Sequence, residues 1–268
     1  AEVGAPLLER RGRGVGLTAA GLEFVVHAER ALVAVEAGRE AAEALARGDL
    51  GRLSVGSAPA VGTYVLPAVI RRYAGEHPGV RVQVRTGHSE DILTTVLAGE
   101  VDVGLVRELR HPDVETQLFY HDELVLVVPP DHPFADEGRV RVEQLGGEPL
   151  ILFDRFSSYR ELTQALVRSA GVVPREVLEV DNIEATKRMV MVGLGVAVLP
   201  VRAVVDEVMA GRLAAAAIVG AQLGSRQVVA IRRRGVEPTP AVAAFLGLLD
   251  QIAPHGHIGD VRASDLTG

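Results

Sequence analysis

Between Ala19 and Arg47, the apolar residues Leu22, Val25, Ala28, Leu32, Val35, Ala42 and Leu45 recur at spacings of three, four or seven among polar neighbours. That period predicts one long amphipathic helix with a narrow apolar stripe, its first turn capped by the Thr18 hydroxyl. A stripe so narrow suits a partner helix, most simply the same helix of a second subunit; packing on its own domain is the alternative. Gly48 and Gly51, bracketing Asp49 and Leu50, then interrupt the pattern as a hinge.

From Arg52 onward the pattern changes to short apolar runs alternating with helical periods. It predicts strand 53–56, helix 63–76 with Leu66, Val69, Ile70 and Tyr73 on one face, strand 80–85, helix 91–97 capped by Ser89, and strand 101–106. Further on it predicts strands at 123–129, 150–153, 176–180, 196–199 and 227–231, with helices over 159–170, 183–192 and 239–252. Strands alternating with helices of this length imply right-handed βαβ crossovers and a parallel sheet. A sharp change in composition after Pro129, at PDHPFADEG, marks a crossing into a second lobe. The expected organisation of residues 50–252 is therefore two α/β lobes, lobe I about 52–129 and 227–252, and lobe II about 130–226. Residues 253–268, rich in Gly and Asp, read as a flexible tail.

Composition narrows the classes. At 268 residues and 48% hydrophobic, the chain can bury more than one core. Zero cysteine excludes disulfides, thiolate catalysis and cysteine-ligated metal. No run of about 18 uncharged apolar residues is present, and the start has no signal-like apolar segment, so the expected location is the cytoplasm, with no membrane contact. A net charge of −7 argues against a surface that coats nucleic acid, so any DNA contact must be local. The densest basic cluster near the start is Arg10, Arg11 and Arg13.

Candidate chemistry gathers at helix starts. The loop Ser57-Ala58-Pro59 brings small residues to a strand end and then opens a helix, where free backbone N–H groups favour anions; Ser57 is the best candidate donor. Ser89, Ser157 and Ser158 repeat the arrangement, with simple capping as the alternative for each. Arg107 follows the apolar strand VDVGLV, where it could pair with a ligand carboxylate, or with Glu108 or another surface acid. The run Gly193-Leu194-Gly195-Val196 lacks a third glycine and precedes a strand, so it is no dinucleotide fingerprint. GxxxxGK[ST], GxSxG and HExxH are absent. His255 and His257 form a weak metal site at best, and Glu90 with Asp91, or Glu100 with Asp102, are explained by helix-start charge and turn capping. No cofactor, metal or catalytic residue is expected.

Several segments occur in an order that resembles the LysR-type transcriptional regulators: LLERRGRGVGLTAAG, GRLSVGSAPAVGTYVLP, HPGVRVQVRTGHSEDILTTVLAGEVDVGLV, DHPFA and VGLGVAVLP. The resemblance runs to about Ile252. It implies the wing of a winged helix-turn-helix in residues 1–17, a dimerising linker helix over 18–49, and a two-lobed effector domain like a periplasmic binding protein. It also implies dimers or tetramers on promoter DNA, with Arg10, Arg11 and Arg13 matching the wing. Family members carry three helices before the wing, and of the stretch between the third helix and the wing this sequence holds only Ala1 to Gly4. The chain alone is therefore expected to be deficient in sequence-specific DNA binding. In the branch that senses aromatic-pathway acids, residues matching Ser57, Ser89, Arg107 and Phe156 line the effector pocket; Gly195 joins them as a candidate. The expected function is a ligand-responsive regulator sensing a small organic or aromatic carboxylate. A solute-binding protein, or an enzyme on the same scaffold, are the competing readings.

Overall fold

The computed structural model describes residues 3–11, 14–47, 51–153, 157–220, 226–252 and Leu266. An antiparallel hairpin, β1 (Leu8–Arg11) and β2 (Gly14–Leu17), leads into α1 (Ala19–Arg47). Thr18 caps this helix as its hydroxyl predicts, accepting from the Gly21 N–H at 2.9 Å and donating to the Pro6 carbonyl at 2.7 Å. A side chain on Gly21 would sit 2.0 Å from the Leu7 carbonyl oxygen, so glycine lets the hairpin entry lie directly against the helix. With 29 residues α1 is roughly 44 Å long. Leu32 and Val35 of its stripe are 69% and 70% exposed.

The chain continues through β3 (Arg52–Ser57), α2 (Pro59–Tyr64), α3 (Leu66–Glu76), β4 (Arg81–Thr86), α4 (Ser89–Ala98), β5 (Val103–Arg107) and β6 (Val114–Asp122). Next come β7 (Leu124–Val128), α5 (Pro133–Glu137), β8 (Arg139–Arg141), β9 (Pro149–Phe153), α6 (Ser158–Ser169), β10 (Glu176–Val180), α7 (Ile183–Met191), β11 (Val196–Pro200), α8 (Val201–Met209) and β12 (Ala214–Val219). Strand β13 (Arg226–Arg233) and α9 (Pro240–Ile252) complete the described fold. The helix expected over 63–76 is in fact two, because Pro59 and Pro67 each occupy the opening turn of a helix, where a missing N–H goes unnoticed.

Two sheets result, in the orders β4-β3-β5-β13-β6 and β10-β9-β11-β7-β12-β8, each forming one lobe. They are mixed, not parallel as expected. Pairs linked through a helix, β3 with β4 and β9 with β10, run parallel. The strands that enter from the other lobe are reversed: β13 is antiparallel to β5 and β6, and β7 to β11 and β12. The lobe boundary also moves. The run expected to close lobe I at about 129 is β7, which lies inside the second sheet, so the chain crosses between Asp122 and Leu124. All five β7 residues are buried, as the centre of a sheet covered on both faces requires.

Lobe I packs Leu53, Val55, Val69, Tyr73 and Phe245 under α3 and α9 on one sheet face, and Ile92, Val96 and Ile231 under α4 on the other. Lobe II has one large core around β7, β9 and β11. Ala60 of α2 belongs to that second core although its strand neighbours belong to the first, so α2 is the piece of lobe I seated on lobe II.

Candidate functional site

In open α/β sheets ligands lie beyond the carboxyl ends of the strands, and both sheets here end on one shared cleft. It encloses about 140 Å³, similar to a cavity of roughly 150 Å³ that holds a benzene-sized molecule. Four helices begin at this cavity: α2 with Ala58 and Pro59, α4 with Ser89 and Glu90, α6 with Ser157 and Ser158, and α7 with Asn182 and Ile183. Helix N-termini carry partial positive charge from unpaired N–H groups. Ser157 caps α6 by accepting from the Tyr159 N–H at 3.3 Å, and Asn182 caps α7 by accepting from the Ala185 N–H at 3.1 Å. The starts of α2 and α4 have no side-chain cap.

Of the residues singled out from sequence, Ala58, Pro59, Ser89, Arg107, Ser157 and Ser158 line the cavity together. Ser57 does not. Its side chain is fully buried beneath α2, where its Oγ has no hydrogen-bond partner and would touch a side chain on Gly62 at 2.6 Å. Strand alternation is the reason: successive residues face opposite sides, so the residue before the helix start turns inward. Ser89 is not the cap of α4 either; His88 holds that position, and the Ser89 hydroxyl accepts from the Arg107 backbone N–H at 3.4 Å. Gly195 lies away from the cavity at the start of β11, where a Cβ would stand 2.6 Å from the Pro149 carbonyl oxygen; it is there for strand packing. Phe156 and Arg13 lie outside the described residues, as do His255 and His257. Arg10 and Arg11 are exposed on β1, with Arg11 paired to Glu9 at 2.8 Å. The carboxylates read as structural behave so: Glu90 pairs with Arg107, and Asp102 accepts from the Ser54 N–H at 2.7 Å.

Sequence reasoning misses the deepest part of the site. Arg226 opens β13 directly opposite Asp122, which closes β6, so the two residues meet where the chain crosses between lobes. The Arg226 side chain is 7% exposed and the Asp122 side chain 3%, with Nη1 3.5 Å from Oδ2. Tyr159 donates its hydroxyl to the same oxygen at 2.9 Å, and the guanidinium stacks over the Tyr159 ring at 4.3 Å. Burial pushes the Asp122 carboxyl up from its ordinary value, against the opposing pull of Arg226 and the Tyr159 hydrogen bond. No local pattern in SRQVVAIRRR separates Arg226 from the arginines after it; only the register with β6 does.

A second contact invisible to sequence reasoning joins the lobes across the cavity. The Tyr64 hydroxyl on α2 donates to Glu184 on α7 at 2.6 Å, and Glu184 also receives Lys187 at 2.6 Å. Lys187 is buried and reaches Glu207 at 3.1 Å and the Ala203 carbonyl at 2.9 Å. Burial pushes the Glu184 carboxyl up, but hydrogen bonds from Lys187 and Tyr64 and the charges of Lys187 and Arg188 outweigh it and hold the group below its ordinary value. Among the described residues no cluster of three or more His, Asp or Glu is placed to hold a metal ion, and no helix is long and apolar enough to cross a membrane.

Comparison with known proteins agrees with this architecture. Residues 46–253 match the family described as the LysR substrate binding domain. The chain is 32% identical over 213 residues to the "Probable RuBisCO transcriptional regulator" of Cyanidioschyzon merolae, covering 77% of this chain and 70% of that protein. It is 33% identical over 222 residues to the HTH-type transcriptional regulator YeiE of Escherichia coli (strain K12), covering 82% and 75%. The crystal structure of full-length CbnR complexed with its target DNA superposes with a TM-score of 0.67 at 26% identity, covering 94% of this chain and 86% of that one. The two lobes, the cleft between them and these relatives lead to one conclusion: the chain belongs to the LysR family of transcriptional regulators.

Proposed function

We propose that a small organic acid is the effector of this regulator and that it binds in the cavity between the lobes. The observation that carries the reading is the cavity itself, walled by both lobes, entered by four helix starts and lined by two guanidinium groups, Arg107 and Arg226, alongside the carboxylates Glu90, Asp181 and Glu184. Ala58, Pro59, Ser89, Ser157 and Ser158 shape its walls. Arg107, with 30% of its side chain exposed and held by Glu90, lies toward solvent. The binding residues supply attraction for charge, and the apolar walls select a compact body.

Residues 1–17 act as the wing, with Arg10 and Arg11 meeting the phosphate backbone. The exposed Leu32 and Val35 stripe of α1 pairs with the same helix of a second subunit. The likeness to the DNA complex of CbnR supports both assignments. Residues 50–252 form the sensor, working in the cytoplasm. A ligand that favours one lobe arrangement over another shifts the population, and through α1 the spacing of the wings.

The test is calorimetric titration and thermal shift of the chain with benzoate and with benzamide, its uncharged counterpart. Benzoate raises the melting temperature by mass action and benzamide does not. Arg107→Ala weakens benzoate several-fold, because it removes one of the two guanidinium groups of the cavity. Equal responses to the two compounds would remove the acid from the reading, and unchanged affinity in Arg107→Ala would remove Arg107 from the site.

A further inference from the structure

We propose that the acid group of the effector is bound at the base of the cleft by Arg226, which it shares with Asp122, so that ligand charge is read where the chain crosses between lobes. This rests on the cleft reading above and specifies its chemistry.

A guanidinium carries five N–H donors, and burying it is unfavourable unless they are used. Arg226 is 8% exposed and lines the cavity, yet its Nε is buried without a hydrogen-bond partner. Its ion pair with Asp122 is long, at 3.5 Å. The group is nevertheless fixed in orientation, because the Tyr159 ring lies beneath it and the Tyr159 hydroxyl is tied to Asp122. A planar, oriented and under-used fork is suited to accept a carboxylate from the cavity side. Arg107 contrasts on each count: it is nearer solvent, its guanidinium is paired with Glu90, and its backbone N–H is bound by Ser89.

Charge sets the ligand class. Asp122 already offsets one positive charge at Arg226, and Tyr120, Arg202 and Glu123 also surround that carboxylate. The cavity itself is lined by the carboxylates Glu90, Asp181 and Glu184 beside the two guanidinium groups Arg107 and Arg226, so a ligand with more than one negative charge meets net repulsion. The expected ligand is therefore a small monoacid, its body against Phe153, Tyr159, Ile183 and Pro59. Because Asp122 ends β6 and Arg226 begins β13, an acid on Arg226 sits at the pair that joins the two strands leading from lobe to lobe.

The experiment is titration of the whole chain and two variants with benzoate, with benzamide as the uncharged control. Arg226→Lys keeps a charge for Asp122 but removes Nε and the fork, and it weakens benzoate at least about tenfold. Asp122→Asn removes the competing carboxylate while leaving Arg226 in place, and it tightens benzoate several-fold. If both variants bind benzoate as the unaltered chain does, the inference is wrong while the cleft reading stands. Absence of benzoate binding by the unaltered chain overturns both. Should Arg226→Lys fail to fold, Asp122→Asn decides alone, and unchanged or weaker benzoate affinity there overturns the inference.

Discussion

Removing the Ser57 hydroxyl should make the protein more stable and leave ligand binding intact. Ser57 ends β3 next to the cavity loop, but its Oγ is fully buried and has no hydrogen-bond partner. A buried polar group left unpaired costs about 1–3 kcal/mol. Ser57→Ala removes that cost and loses only the dispersion contacts of one oxygen, roughly 0.5 kcal/mol at about 0.1–0.2 kcal/mol per atom pair. The net gain is about 1 kcal/mol, and at about 2–4 °C per kcal/mol for a chain of this size the melting temperature rises by about 2–4 °C. Guanidinium denaturation followed by circular dichroism reads the change as a higher midpoint at unchanged slope. The benzoate-induced shift is measured in parallel and stays the same. A lower midpoint together with a lost benzoate response would refute the argument, because it would mean that the hydroxyl is paired and faces the ligand.

Two other outcomes rest on neighbouring geometry. Gly195→Ala places a Cβ 2.6 Å from the Pro149 carbonyl, forcing β9 and β11 apart. It should destabilise by about 1–3 kcal/mol in denaturation while the remaining folded fraction binds benzoate with unchanged affinity; a selective loss of affinity would place Gly195 in the site after all. Glu184 has a carboxyl held below its ordinary value in the folded chain, so its contribution to stability is present above the unfolded pKa of about 4.3 and is lost as pH falls through the lowered folded value. Acid titration of the melting temperature should therefore show a component that Glu184→Gln removes, and identical acid profiles for the two chains would contradict the assigned contact with Tyr64 and Lys187.

Much of the architecture is legible locally. The stripe on α1, the Thr18 cap and most strand and helix positions come from periodicity and capping, which act within a few residues. The misses are equally physical. Strand β6, VETQLFYHD, escapes a reading by periodicity because its alternation changes phase: Phe119 is buried, Leu118 is 45% exposed, and the pairing register with β13 shifts between Val228 and Val229. Strand β12 is Ala-rich, AAAAIV, a composition that favours helix in isolation and forms a strand only because β7 and β8 flank it. The helices α5 and α8 escape too, each being short and bounded by prolines or glycines.

For the site, the local sequence determined that small residues, serines and an arginine would stand at strand ends and helix starts, since those positions depend on neighbours in the chain. Which of them face the cavity depended on strand alternation in a sheet whose partners lie far away, and so Ser57 turned inward while Ser89 and Arg107 met in the cleft. The contacts that join the lobes, Asp122 with Arg226 and Tyr64 with Glu184, link residues 104 and 120 positions apart. No local pattern can encode such a pairing. It exists because β13 returns between β5 and β6 and because α2 is seated on the second lobe, and both are consequences of the tertiary fold.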